Sequence, residues 1–130
     1  MLFRSITGLT VTGTGILSFT SASTKTFSIG TNTSSFSGLT INQGGAGQLS
    51  LNGNNSFANI TNTYSATGAT TISFGTTTQR VANFTATGTA GNVLTIQGSS
   101  ATNPCNLIHT GAGNISLDYL NLIGVRAYQI

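Results

Sequence analysis

The sequence predicts an all-β fold, a right-handed parallel β-solenoid with coils of about 22 residues. Two observations support this prediction. Short apolar triplets recur roughly every ten to twelve residues in a background of Thr, Ser, Asn and Gly. Every second triplet keeps nearly one period, and two strands per repeat are typical of a chain that winds into stacked coils. One evenly spaced set is Phe19, Ile41, Ile60, Phe84 and Ile108, and the other is Ile29, Leu51, Phe74, Ile96 and Leu117.

The strands are predicted from short-range alternation. Apolar and small polar residues alternate in Leu17-Ser18-Phe19, Leu49-Ser50-Leu51 and Ile72-Ser73-Phe74, which is the pattern of a half-buried strand. In chain order the predicted strands are residues 6–11, 16–20, 25–29, 35–41, 48–51, 56–61, 70–74, 80–85, 92–97, 106–109 and 114–122.

The connectors contain residues that tolerate turn conformations, as in the runs 31–33, 44–47, 52–55 and 88–92. No window carries a helical stripe, so almost no helix is expected. At this period the chain has room for roughly six coils, a rod about 28 Å long at ~4.8 Å per strand. Short strands separated by turn signals are also typical of an antiparallel β-sandwich, and this alternative stays open.

Length and composition limit the possible roles. The 130 residues are expected to form a single domain, residues 1–130, which could be a module within a longer rod. Charged residues make up 4% of the chain, against roughly 25% in an ordinary soluble domain. A surface with so little charge is poorly protected against self-association, so we expect the chain to work as a homo-oligomer inside a larger assembly.

Several partners and compartments are disfavoured. The net charge of +3 comes from four scattered cations and Asp118, too few to neutralise a run of phosphates, so no nucleic-acid partner is expected. No membrane partner is expected, because the chain has no apolar run long enough to span a bilayer, and residues 1–6 do not resemble a signal peptide. Cys105 is the single cysteine and cannot form an intrachain disulfide.

The sequence offers little for catalysis or for cofactors. Two carboxylates are needed for acid–base cleavage of polysaccharides, and Asp118 is the single acidic residue. Cys105 and His109 have the spacing of half a zinc site, but zinc needs about four ligands; a core thiol and a plain structural or surface histidine are expected instead. We therefore predict no enzyme activity, no cofactor and no metal.

Threonine pairs are the candidate binding residues. Residues two apart share one face of a strand, so each Thr-x-Thr pair presents two hydroxyls and two methyls together. Stacked on successive coils, such pairs would form a flat array able to bind a host glycan or ice. The candidate residues are Thr31, Thr33, Thr61, Thr63, Thr85 and Thr87.

Aromatic residues are spread along the chain. The seven phenylalanines occur about once per coil, and a stacked aromatic ladder inside the solenoid is expected. They are Phe3, Phe19, Phe27, Phe36, Phe57, Phe74 and Phe84.

Two segments resemble known β-helical proteins. A segment that recurs in structural proteins of tailed bacteriophages resembles Asn83-Phe84-Thr85, the run Gly88-Thr89-Ala90-Gly91-Asn92 with its continuation to Ile96, Gly98-Ser99-Ser100, and residues 113–122. Residues 49–57 are similar to repeats of bacterial autotransporter β-helices. The two resemblances together cover roughly half of the chain.

The phage resemblance implies a non-enzymatic structural protein of the virion. A tail-fibre, spike or capsid-decoration component is implied, assembled in the host cytoplasm into the virion, with other virion proteins as partners and a homotrimer as stoichiometry. The alternative is a surface-binding module that recognises host glycan or ice through its Thr/Asn-rich face.

Overall fold

In the computed structural model the described residues, 13–28 and 34–130, wind into a parallel β-solenoid of about five turns. Odd-numbered strands form the six-stranded sheet A and even-numbered strands the five-stranded sheet B, each ordered along the chain. The strands are β1 Gly15–Phe19, β2 Lys25–Ser28, β3 Ser34–Gln43, β4 Leu49–Asn52, β5 Asn55–Asn62, β6 Thr70–Gly75, β7 Thr78–Phe84, β8 Leu94–Gly98, β9 Cys105–His109, β10 Leu120–Ile123 and β11 Val125–Gln129.

Every strand pairing is parallel, for example β4 with β6 and β5 with β7. The solenoid prediction is therefore confirmed, and the antiparallel sandwich is wrong. The described residues make about five turns, and the roughly six expected coils referred to the whole chain. One 3₁₀ turn, Tyr64–Ala66, is the helical element of the described residues, in keeping with the expected near-absence of helix. The predicted strand 6–11 lies outside the described residues.

The core consists of side chains stacked from coil to coil. On sheet B the register aligns Leu49, Ile72 and Ile96 in one column, and all three are buried. On sheet A it aligns Ile41, Ile60 and Phe84 in another. Each buried aliphatic or aromatic side chain contributes roughly 1.5–3 kcal/mol by leaving water. The apolar columns therefore hold neighbouring coils in register.

Phenylalanines form part of the predicted ladder. The Phe36 and Phe57 rings, on adjacent strands of sheet A, stack with centroids 5.7 Å apart and an interplanar angle of 16°. Phe27, across the core on sheet B, meets both rings edge-on at 5.5 and 5.8 Å. Phe74 and Phe84 are also buried, as expected. Phe3 lies outside the described residues.

Buried polar side chains close the corners between the sheets. Asn55 Nδ2 donates to Gln79 Oε1 at 3.0 Å, and both residues are fully buried. Gln79 Nε2 in turn donates to the Gly53 carbonyl at 2.8 Å and to Thr77 Oγ1 at 2.7 Å. Because a buried amide without partners is costly, these bonds fix which corner residues of adjacent coils lie together.

Lys25 is buried at another corner. Its Nζ donates to the Gly47 carbonyl at 2.6 Å and to the Ser21 carbonyl at 3.0 Å. Burial lowers the pKa of this ammonium group. A Cβ on Gly47 would lie 2.0 Å from the Ser23 carbonyl, so the glycine permits the two corners to touch. Lys25, one of the four cationic residues of the chain, therefore has a structural role at this corner.

A short turn projects from the corner before β8. Thr89 and Asn92 form an isolated antiparallel bridge, closed by Thr89 N to Asn92 O at 3.0 Å and by Asn92 N to Thr89 O at 2.9 Å. Ala90 and Gly91 form its exposed tip, and Gly91 has a φ of +81° that favours glycine. We call residues 89–92 the projecting turn.

The predicted strand 114–122 is wrong in its first part. Ile115 makes an isolated bridge to Phe84 of sheet A, whereas regular pairing begins only at Leu120 on sheet B. Between them the chain turns the corner, and Tyr119 adopts a left-handed φ of 49°. The alternation of Ile115-Ser116-Leu117 is that of a strand, but the need to change sheets ends the pairing.

Strand β11 was not predicted. Of its three inward positions, Val125 and Ala127 are apolar and Gln129 is polar, so the strand lacks the apolar triplet by which the other strands were predicted. It forms because all five of its residues align with β9 in parallel register. Residues 125–129 therefore extend sheet A by one further strand.

Candidate functional site

The four described threonines of the binding prediction lie at one corner of the solenoid. Thr85 N donates to the Ile60 carbonyl at 3.1 Å, which stacks the Thr85–Thr87 segment on the Thr61–Thr63 segment. Thr31 and Thr33 lie outside the described residues. The structure therefore brings together two of the three predicted pairs, on successive coils.

The hydroxyls of these threonines join coil to coil. Thr61 Oγ1 donates to Asn42 Oδ1 at 3.0 Å, and Thr63 Oγ1 accepts from Asn42 Nδ2 at 2.9 Å. Thr87 Oγ1 donates to the Asp118 carbonyl at 2.7 Å. Thr85 Oγ1 lies 3.2 Å from Asn59 Nδ2. A ligand at this corner would have to compete with these bonds.

A second polar surface, missed from the sequence, covers the outside of sheet B. The register aligns Thr26, Ser50, Ser73 and Gln97 in one outward column, and Thr71, Thr95 and Asn121 in a second. Coils repeat at about 4.8 Å and the columns lie about 6.7 Å apart. We call these seven residues the sheet B face.

The sheet B face carries no charge, whereas Arg80 and Arg126 belong to strands of sheet A. Gln97 Nε2 donates to Gln48 Oε1 at 3.4 Å across two coils, which extends this polar surface. The sequence does contain a signal for this face, because Ser50 and Ser73 are the polar central residues of apolar triplets. A search for Thr-x-Thr pairs does not find the face, because serine and glutamine occupy several of its positions.

Cys105 and His109 do not form a joint site. They lie at opposite ends of β9, four residues and about 13 Å apart along the strand. Both are buried, so His109 is the structural rather than the surface histidine of the two alternatives. His109 Nε2 lies 3.0 Å from the Ala82 carbonyl, which explains its burial. Among the described residues no group of three His, Cys, Asp or Glu side chains could hold a metal ion.

Burial raises the pKa of the Cys105 thiol from its ordinary value of 9.0. Because the thiol pKa is higher in the folded than in the unfolded protein, burial of the protonated thiol contributes to the free energy of unfolding. This contribution is fully present below about pH 9 and is lost as the pH rises through the pKa of the folded protein. We expect Ellman's reagent to label Cys105 in the native protein at least about 100-fold more slowly than in guanidinium, because thiolate is needed for attack. Labelling at equal rates would contradict the burial of this thiol.

The C-terminal end of the rod is the third surface of note. Among the described residues nine large apolar side chains are exposed, and seven of them fall within residues 115–130. The seven are Ile115, Leu117, Tyr119, Leu122, Ile123, Tyr128 and Ile130. This end also places Tyr119 and Tyr128 on the same coil.

No helix in the described part of the chain is long and apolar enough to cross a membrane. Comparison of the chain with protein-family models, with curated proteins and with solved structures found no match.

Proposed function

We propose that this chain is a non-enzymatic structural protein, a rigid β-solenoid subunit of a phage virion such as a tail fibre, spike or capsid decoration. The observation that supports this role is the continuous bonding between coils: apolar columns inside, parallel ladders, and side-chain bonds at the corners. Such a stack resists bending and proteolysis because each coil is fixed by its neighbours. The assignment to a virion is supported by the resemblance of residues 83–85, 88–96, 98–100 and 113–122 to phage structural proteins.

The chemistry of the described residues supports a role without catalysis. The sole carboxylate, Asp118, has no second acid to work with. Cys105 and His109 are buried and far apart on one strand. The proposal therefore assigns no cofactor and no metal, and its partners are copies of the chain and other virion proteins, with the trimer implied by the resemblance.

The virion role is tested by immunogold electron microscopy of phage particles purified from the source of this sequence. Antibodies against the folded chain should label one defined part of the particle. Antibodies against an unrelated β-solenoid serve as the control. Label that stays in the particle-free fraction would refute the virion role.

The sheet B face favours a second candidate function, a surface-binding module. An uncharged array of hydroxyl and amide groups suits a neutral glycan, whose own hydroxyls can both donate and accept, or the regular surface of ice. Thr71→Lys and Thr95→Lys would disrupt this array without touching the core. Loss of binding on a glycan array or of ice shaping, with matched changes at Thr61 and Thr85 having no effect, would assign the activity to sheet B rather than to the threonine corner.

A further inference from the structure

The outer side of sheet A carries the exposed positive charge of the described residues. Arg80 lies on β7 between buried Gln79 and Val81, so the pleat of the strand turns its side chain outward. Arg126 on β11 aligns with Asn106, an outward residue of β9. Both directions are set by the pleat and do not depend on what adjoins the edge of β11.

These two arginines have no counter-charge. Neither forms a hydrogen bond or an ion pair within residues 13–28 and 34–130. The single acidic residue, Asp118, lies just before β10, where its Oδ1 accepts from Tyr119 N at 2.9 Å. Lys25, the other lysine or arginine of the described residues, is buried. A guanidinium group without a carboxylate partner is available to a ligand, and its planar fork of donors matches a carboxylate in two parallel hydrogen bonds.

Two outward columns surround the arginines with groups that suit a sugar chain. The register places Arg80, Ile108 and Tyr128 in one column and Thr78, Asn106 and Arg126 in the next. The Cα atoms of the two arginines are about 12 Å apart, at ~4.8 Å per coil and ~6.7 Å between residues two apart. Tyr128 is exposed, and its ring is apolar with a polar hydroxyl. We call these six residues the arginine face.

We infer that the arginine face binds an acidic polysaccharide of the uronic-acid class, with a carboxylate at each arginine. Two coils separate the arginines, so carboxylates on alternate sugars fit them better than two acids on one sugar. The Tyr128 ring packs against the apolar face of a sugar, while Thr78 and Asn106 exchange hydrogen bonds with sugar hydroxyls. The site is separate from the sheet B face and does not rest on the virion role proposed above.

Charge complementarity favours this ligand over other partners. Nucleic-acid affinity grows with the number of phosphates neutralised, and two arginines neutralise too few. A protein partner would need a contact with a more apolar centre, whereas Ile108 and Tyr128 are the apolar residues of this face. A neutral glycan would leave both guanidinium groups without a counter-charge. A polymer with widely spaced carboxylates satisfies both.

The test is isothermal titration calorimetry with two uronic-acid polymers, hyaluronan and polygalacturonate, and with dextran as the neutral reference. Arg80→Gln and Arg126→Gln should each weaken binding at least about tenfold, because each removes a charge-assisted pair of hydrogen bonds. Gln97→Glu is the matched control, since it lowers the net charge by the same amount on the sheet B face and should change the affinity less than about twofold. Circular dichroism of all variants verifies folding.

The salt dependence of wild-type binding supplies a second readout that needs no variant. Arg126 is exposed and Arg80 half-buried, so the affinity should fall as the salt concentration rises. An affinity that does not change with salt would show that the arginines do not hold the polymer, and it would overturn the inference even if the variants failed to fold.

Other outcomes are equally decisive. Failure to bind both uronic-acid polymers overturns the inference, and so does equal affinity for dextran. Unchanged binding by both arginine variants would place the site elsewhere, and equal weakening by Gln97→Glu would assign the binding to net charge or to the sheet B face; either result overturns the inference. Immunogold labelling of virions is independent of all these results, so failure of this site and failure of the virion role are distinguishable.

Discussion

Replacing Phe74 with alanine is expected to lower the free energy of unfolding by about 3–5 kcal/mol, one of the two largest effects predicted for a single substitution in this chain. Phe74 is fully buried on β6, within the apolar core between the sheets. Removing the ring forfeits its transfer free energy and leaves a cavity that stacked coils cannot easily close, because each coil is held by ladders on both sides.

The measurement is equilibrium unfolding in guanidinium, followed by far-UV circular dichroism. Ser73→Ala is the matched control: it alters the neighbouring residue on the outer face of the same strand and should change stability by less than about 0.5 kcal/mol. A loss below about 1 kcal/mol for Phe74→Ala would show that this side chain is not packed in the core.

Gln79→Ala is expected to lower the free energy of unfolding by about 3 kcal/mol, mainly because hydrogen bonds rather than apolar contacts are lost. The substitution removes three buried hydrogen bonds, to Asn55, to the Gly53 carbonyl and to Thr77, and each is worth about 0.5–1.5 kcal/mol. The Asn55 amide keeps its bond to the Gly53 carbonyl at 3.1 Å, so neither group is left without a partner. Gln97→Ala, which removes an outward glutamine from sheet B, should be nearly neutral.

A double-mutant cycle tests whether the Asn55–Gln79 pair acts as a unit. If it does, Asn55→Ala and Gln79→Ala together should cost at least about 1 kcal/mol less than the sum of the single losses. Additive losses would mean that the two amides contribute independently. In that case the Asn55–Gln79 hydrogen bond would not fix the alignment of the two coils.

The sequence was sufficient for the architecture because the solenoid repeats its pattern in the chain itself. Triplets such as Leu49-Ser50-Leu51 and Ile72-Ser73-Phe74 lie one coil apart, and the structure stacks Leu49 on Ile72. The prediction failed where local alternation and topology disagree. Ile115-Ser116-Leu117 alternates like a strand, but it lies where the chain must cross between sheets.

The candidate surfaces were harder to predict, because a face is defined by which strands are adjacent. Thr71 and Thr95 belong to one column of sheet B, yet a whole coil of chain separates them and their polar neighbours differ. The burial of His109 could likewise not be predicted from the sequence, because its hydrogen-bond partner, the Ala82 carbonyl, lies on the preceding coil. Contacts of this kind depend on the register of coils, which composition and local spacing do not specify.

The projecting turn has a consequence for engineering. Its two hydrogen bonds between Thr89 and Asn92 close it at the base, so the fold does not depend on what lies between them. A foreign peptide inserted between Ala90 and Gly91 would leave the stacked columns undisturbed. This turn is therefore a natural position for displaying an epitope or an enzyme tag on the side of a stiff rod.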